Sequence, residues 1–330
     1  MKKKVFITGG AGYVGSRLVP ILLQKNYFVT VYDTFYFGNT LKKNKNLKII
    51  KGDIRNTDFL SKKCKNHDFF LHLACISNDT SFELNSKLSK SINYDCFKPM
   101  VRAAKASDIK RFIYASSSSV YGLSKKKNVK EDHPLLPLTL YNKYKGMCEP
   151  ILFKHTDQNF EGVIFRPATV CGYAPRMRLD LSVNILTNFA FKKKFIKVFG
   201  GSQLRPNLHI LDYCDAVLKL MKAPTYKIKD QIFNVGHQNM SIDNLALRVK
   251  NIISKKIETK IKIIKTKSND KRSYHINSDK IFKELGFKPK RKVDDAIIEI
   301  YDAFKQGKIP KSFDNLNYFN VKKMLKLKIK

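Results

Sequence analysis

Val5-Phe6-Ile7-Thr8-Gly9-Gly10-Ala11-Gly12-Tyr13-Val14-Gly15 is the stretch on which the fold turns. Three apolar residues read as a short buried strand. The glycines break it, and Arg17-Leu18-Val19-Pro20-Ile21-Leu22-Leu23 can continue as a helix. Gly9, Gly12 and Gly15 fit G-x-x-G-x-x-G, while Gly10, Gly12 and Gly15 fit G-x-G-x-x-G. Both spacings have one physical use. The backbone turns tightly enough to approach a pyrophosphate, and N–H groups at the helix start stabilise its charge. A second apolar run, Phe28-Val29-Thr30-Val31-Tyr32, ends in Asp33, near the spacing at which a carboxylate takes adenosine ribose hydroxyls. Together these predict a dinucleotide site using Gly9, Gly12, Tyr13, Val14, Gly15 and Asp33. NAD is expected over NADP, because Asp33 would repel a 2′-phosphate and Thr34 brings no positive charge to offset it.

Length and composition narrow the class. A chain of 330 residues suffices for one large or two closely joined domains. Its 43% hydrophobic content is that of a soluble globular protein, and no apolar run approaches a membrane span. Met1-Lys2-Lys3-Lys4 resembles a signal n-region, but the apolar stretch behind it is too short for a cleaved signal. Cys64, Cys75, Cys96, Cys148, Cys171 and Cys214 show no C-x-x-C pair and no metal spacing, which suggests free thiols in a reducing cytoplasm. The net charge of +37 raises nucleic acid or a membrane surface as partners. Lysine is spread along the whole chain, however, and arginine is sparse, so neither partner is expected. The field should still attract an anionic substrate.

Strand-like and helical stretches alternate through the first half. Leu47–Asp53, Asp68–Ala74, Arg111–Ala115 and Gly162–Phe165 read as strands; stretches near 86–107 and 139–156 read as helices. Repeated β-α-β units predict a doubly wound parallel sheet with ligands at the carboxyl ends of its strands. Past Pro167 the rhythm changes. An Arg- and Pro-rich loop leads to a helix near 182–193, then a Gly200-Gly201 turn. We expect a dinucleotide-binding domain over 1–167, with segments near 208–236 returning to it. A smaller mixed α/β substrate lobe should occupy most of 168–310, and a basic, frayed or loosely docked tail 311–330.

Two Tyr-x-x-x-Lys matches occur. Tyr121 and Lys125 fall in a loop, whereas Tyr141 and Lys145 fall in a helix-forming stretch, where i and i+4 share a face. Only the second holds an ammonium rigidly beside a phenol. That matters because tyrosine, with a pKa near ~10, is a poor base at neutral pH. A fixed cation favours phenolate, which can take a proton from a substrate hydroxyl as hydride leaves its carbon. Just upstream lies Ser116-Ser117-Ser118-Ser119-Val120-Tyr121-Gly122. The glycine turn, this serine-rich strand end and Tyr141-x-x-x-Lys145, in that order, resemble the extended short-chain dehydrogenase/reductase family. Within it the chain looks like the nucleotide-sugar epimerases and dehydratases, and the resemblance extends to about residue 310.

The resemblance implies a Rossmann-type fold, NAD as cofactor, a nucleotide-diphosphate sugar as substrate and a homodimer. It implies Tyr141 as acid/base, Lys145 as its partner and ribose ligand, and Ser117 as the hydroxyl that binds the reacting oxygen, with Ser118 beside the substrate. Asp53 and Ile54 match the adenine contact. Leu73 and Ala74 match the cofactor lining, Asn93 a helix asparagine near the site, and Arg166-Pro167 the turn by the nicotinamide. Arg205 and His209 match a diphosphate-binding segment, although Pro206 and Asn207 depart from it. Arg272, before Leu285-Gly286-Phe287-Lys288-Pro289, matches the arginine that grips the pyrophosphate. The 4,6-dehydratases of the family carry Asp-Glu where this chain has Ser118 and Ser119. Hydroxyls do not readily perform that proton transfer. The expectation is therefore epimerisation, at C4, with a reductase or dehydrogenase as the enzymatic alternative. A dehydratase ranks below these, as does a dinucleotide-binding sensor or RNA-associated protein.

Overall fold

A computed structural model describes residues 2–124, 128–267, 273 and 275–327. Twelve strands occur among them: β1 (Lys4–Thr8), β2 (Phe28–Asp33), β3 (Leu47–Lys51), β4 (Phe69–His72), β5 (Arg111–Ala115), β6 (Glu161–Pro167), β7 (Thr169–Cys171), β8 (Phe195–Phe199), β9 (Leu204–His209), β10 (Gln231–Val235), β11 (Gln238–Ser241) and β12 (Lys262–Thr266). Seven form a parallel sheet in the order β10-β6-β5-β4-β1-β2-β3. The Rossmann-type, doubly wound expectation is met. Central strands such as β4 and β5 are buried at every residue, which is what continuous apolar runs covered by helices on both faces require. From β1 the chain winds outward to β3, then returns to β4 on the other side of β1. That reversal opens a crevice at the carboxyl ends of β1 and β4.

The helix α1 (Tyr13–Gln24) packs Leu18, Val19 and Leu22 under Val5 and Val29. The later helix Ile210–Lys222 adds Val217, Leu220 and Met221 to the same core, and β10 joins the sheet beside β6. The second lobe has its own core, where Leu186, Leu245, Val249 and Ile297 meet between the helices Ser182–Lys193, Ile242–Ile257 and Val293–Lys305.

Two expectations change. The helix near 86–107 is interrupted: Ser86–Lys90 passes into a wide turn over Ser91–Asp95, closed by Cys96 N–H on Ser91 O, before Phe97–Lys105 resumes. Such wider turns often sit at functional sites. The tail is not frayed over its described part. Tyr318, Phe319 and Met324 are buried, and Asn320–Leu327 is a helix. Met324 packs into the core of Ile54 and Phe70, with Phe37 against the same cluster. No helix among the described residues is long and apolar enough to cross a membrane.

Candidate active site

A cleft of about 370 Å³ opens over the carboxyl ends of β1, β2, β4 and β5, and Gly9, Gly12, Val14, Asp33, Ser117, Tyr141 and Lys145 all line it. Its floor is the glycine turn. Gly9 has φ +74°, and a Cβ there would lie 2.6 Å from the backbone N of Ala74. A Cβ on Gly15 would overlap the carbonyl of Gly10. These glycines let α1 start directly under the cleft. No side chain caps the start of α1, which leaves its first N–H groups suited to an anion. Tyr13 also lines the cleft. Its hydroxyl, pushed far above its ordinary pKa by burial, donates to Gly172 O at 2.6 Å and accepts from Asn184 Nδ2 at 3.1 Å.

Asp33 Oδ2 accepts from Ala11 N–H at 3.0 Å and Oδ1 from Phe35 N–H at 2.8 Å, which aims the carboxylate into the cleft edge. Burial raises its pKa against these bonds. Burial would also raise Asp53, but Arg55 outweighs it and holds that carboxyl below its usual range. Asp53, Ile54, Leu73, Ala74 and Pro167 line the cleft. Asn93 does not: Oδ1 accepts from Ile76 N–H at 2.8 Å and Nδ2 donates to Ile76 O at 2.9 Å. Its amide braces the loop after β4. Glycine cradle, helix start and paired acceptor together fit a dinucleotide.

At the reacting end, Ser117 Oγ accepts from Ser119 N–H at 3.2 Å and hydrogen-bonds Ser119 Oγ at 2.8 Å. Ser119 in turn donates to Asn142 Oδ1 at 2.5 Å. Ser118 is buried and lines the cleft. Thr139 caps the helix Leu140–Phe153, whose first two turns carry Tyr141 and Lys145 on one face. Lys145 Nζ donates to Ala115 O at 2.6 Å and lies 4.9 Å from the Tyr114 ring centre. Tyr121 is a different case. It is fully buried, donates to Asn234 Oδ1 and accepts from Arg166 Nη1, both at 2.7 Å. Burial pushes its pKa up to about 12. Arg166, paired with Glu149 at 2.5 Å, belongs to this brace beneath the strand ends. Lys125 lies outside the described residues.

The opposite wall holds residues that the sequence reading passed over. Arg178 Nη1 donates to Ser77 Oγ at 2.9 Å, and its Nε and Nη2 clasp Asp180 at 2.9 and 3.1 Å. Burial alone would lower its pKa, but Asp180 outweighs that and holds it above the ordinary value. Arg176 and Asn320 line the same wall. Their one sequence signal is the arginine pair in Arg176-Met177-Arg178. Arg205 and His209 are not among the described residues lining the cleft. Arg205 is half-buried on β9. His209 is buried, with Nδ1 accepting from Leu211 N–H at 3.1 Å and Nε2 at 3.3 Å from Glu299, so it caps a helix and joins the lobes. Arg272 lies outside the described residues.

Comparison with known proteins agrees with this geometry. The UDP-glucose 4-epimerase of Lactobacillus helveticus is 26% identical over 337 residues, covering 94% of this chain and 99% of the relative. The human dTDP-D-glucose 4,6-dehydratase is 27% identical over 308 residues, covering 87% and 86%. In fold, the chain superposes with a TM-score of 0.82 and 18% identity on DesIV, the dTDP-glucose 4,6-dehydratase of Streptomyces venezuelae with NAD and TYD bound, covering 94% of this chain and 99% of that one. The model of the NAD-dependent epimerase/dehydratase family matches residues 5–236, and with the cradle, the serine-rich strand end and Tyr141-x-x-x-Lys145 in one cleft, the chain belongs to that family.

Proposed function

We propose that this protein epimerises a nucleotide-diphosphate sugar, at C4, through a transient keto-sugar. One observation carries the choice within the family. The cleft presents Ser117, Tyr141 and Lys145, but hydroxyls, Ser118 and Ser119, stand where an eliminating enzyme needs a carboxylate acid and base. NAD, when bound, supplies the acceptor and later the donor of hydride.

The chain's own residues do the rest. Gly9, Gly12 and Gly15 admit the dinucleotide backbone, and Asp33 and Asp53 face its adenosine end. Tyr141 takes the sugar hydroxyl proton, and its phenolate is favoured by the ammonium of Lys145 one turn along the same helix face. Ser117, held by Ser119, positions the reacting oxygen. Arg178 offers a cation beside Ser77 for the substrate's anionic part, and Arg205 and Arg272 keep their proposed grip on the diphosphate from the second lobe. After the keto-sugar turns, Tyr141 returns the proton to the other diastereomer. The homodimer and cytoplasmic location belong to the same proposal; light scattering on the purified protein tests the former.

The test of reaction type is a panel of nucleotide sugars followed by NMR and mass spectrometry. The expected product has altered stereochemistry at constant mass, no net change in NAD and no solvent proton at the epimerised carbon. A product lighter by one water overturns the serine argument, and stoichiometric NADH makes the enzyme a dehydrogenase.

A further inference from the structure

The far wall of the cleft contains a buried cation that, among the described residues, no carboxylate contacts. Arg176 is 4% exposed and lines the cleft, yet no carboxylate among the described residues lies within ion-pair distance of it, and its Nε has no hydrogen-bond partner. Its direct contacts are uncharged. Phe37 stacks under the guanidinium at 4.1 Å, and Asn320 Oδ1 accepts from Nη2 at 2.7 Å. Its main-chain N–H donates to Ser16 Oγ at 3.2 Å, which fixes the residue over the first turn of α1. Burial, and next the neighbouring Arg178, push its pKa down to about 9. Asp180 and Asp33 offset this only in part, and a guanidinium does not give up its proton at neutral pH, so the charge stays in the cleft wall.

Asn320 has further partners. Its N–H donates to Asp180 Oδ2 at 3.1 Å, and its Nδ2 donates to Ser77 Oγ at 2.9 Å. One residue of the C-terminal helix thus ties the loop after β4, the loop of Arg176–Asp180 and the tail together in the cleft wall. Leu179 N–H on Tyr318 O at 2.9 Å and the buried Met324 fasten the segment on either side.

We propose that Arg176, presented by Asn320, is a ligand of the dinucleotide's diphosphate, and that the segment Ser312–Leu327 is the lid that closes over the bound cofactor. The start of α1 approaches the diphosphate from below with its N–H groups, and Arg176 approaches from above with a fork of charged donors. Binding supplies a countercharge in direct contact, and the lid must open for release. The proposal rests on the family's cofactor and is independent of which carbon is epimerised.

Fluorescence titration and stopped-flow release of NADH test it, alongside binding of ADP and adenosine. Arg176→Met should weaken NADH and ADP by about 10- to 100-fold, the range expected for a charge-assisted pair, and leave adenosine within about twofold. Arg176→Lys should recover part of that loss, because it keeps the charge without the fork. Asn320→Ala should speed NADH release by about tenfold, while Lys326→Ala, exposed on the same helix, should not change it. Unchanged ADP affinity in Arg176→Met overturns the assignment, as does an equal loss for adenosine, which would move Arg176 to the ribose or base. Wild-type release from Asn320→Ala overturns the lid. A wild-type chain that bound neither NADH nor ADP would overturn the cofactor itself and the proposal with it.

Discussion

The two walls of the cleft are built in opposite ways. The near wall, at the ends of β1, β2, β4 and β5, is mostly main chain: a glycine turn, a helix start and strand ends that place Asp33, Leu73, Ala74 and Ser117 by their position alone. The far wall is mostly side chain. Arg176, Arg178, Asp180, Ser77 and Asn320 come from three distant segments and hold each other by hydrogen bonds spanning up to 243 residues of sequence. A wall made of backbone is specified by short spacings and tolerates little change at its glycines. A wall made of side chains exists only once the chain has folded, and each of its members can be exchanged for something smaller.

The largest effects should fall on the near wall. Tyr141→Phe should lower turnover by at least about 10²- to 10⁴-fold and leave NADH binding within about twofold, since only the proton-transfer group is lost. Tyr121→Phe should do the reverse, keeping activity but costing about 1–3 kcal/mol of stability, because it strips a buried partner from Asn234 and Arg166. Steady-state kinetics and urea midpoints on both variants separate the roles, and exchanged outcomes would mean that the wrong tyrosine has been assigned. Next comes Gly15→Ala. The added methyl would press on the Gly10 carbonyl, so α1 must shift at a cost of about 3 kcal/mol. NADH affinity should drop accordingly in calorimetry. A variant that binds normally would show that the near wall is softer than its geometry implies.

This contrast also explains what could be read from the sequence. Gly9, Gly12, Gly15, Asp33 and the Tyr141–Lys145 pair are local patterns whose meaning is set by a strand, a turn or one helical repeat, and the parallel sheet follows from alternating apolar runs. Asn93 was legible as a residue near the site but not as a brace, because it sits in the wide turn at Ser91–Asp95 and bonds Ile76 across the loop after β4. His209 carried the motif, yet its ring faces Glu299. The tail looked frayed or loosely docked because its lysines dominate its composition, whereas Tyr318, Phe319, Asn320 and Met324 are buried. Nothing in Arg176-Met177-Arg178 announces that Asp180 will neutralise one arginine and leave the other without a carboxylate in contact.

A smaller effect should mark the far wall. Arg178→Ala should raise the KM for a nucleotide sugar by about 10-fold, with kcat less affected, because a cation beside the substrate is lost and Asp180 is left to repel it. Arg205→Ala, outside the described lining, should raise it less. If Arg205→Ala proved the more damaging, the second lobe alone would carry the grip on the anion and Arg178 would be only the counterion of Asp180.

The smallest expected effect sits where the walls meet. Glu299, on the helix Val293–Lys305, accepts from Arg17 of α1 at 2.6 Å and from Tyr173 N–H, at the start of the far-wall loop, at 3.0 Å, with His209 Nε2 at 3.3 Å. It spaces the two walls without touching the cleft. Burial would raise its pKa, but His209, the Tyr173 N–H and Arg17 outweigh that and hold the carboxyl below its usual range. A depressed carboxyl contributes stability that is fully present above the unfolded value near ~4.3 and lost as pH falls through the folded one. Glu299→Gln should therefore cost about 1–2 kcal/mol at neutral pH, and the gap to wild type should close in acid, below ~4.3. Urea midpoints of both proteins across that range give the answer. A gap that stayed constant into acid would mean that Glu299 holds the walls by its shape and hydrogen bonds, not by its charge.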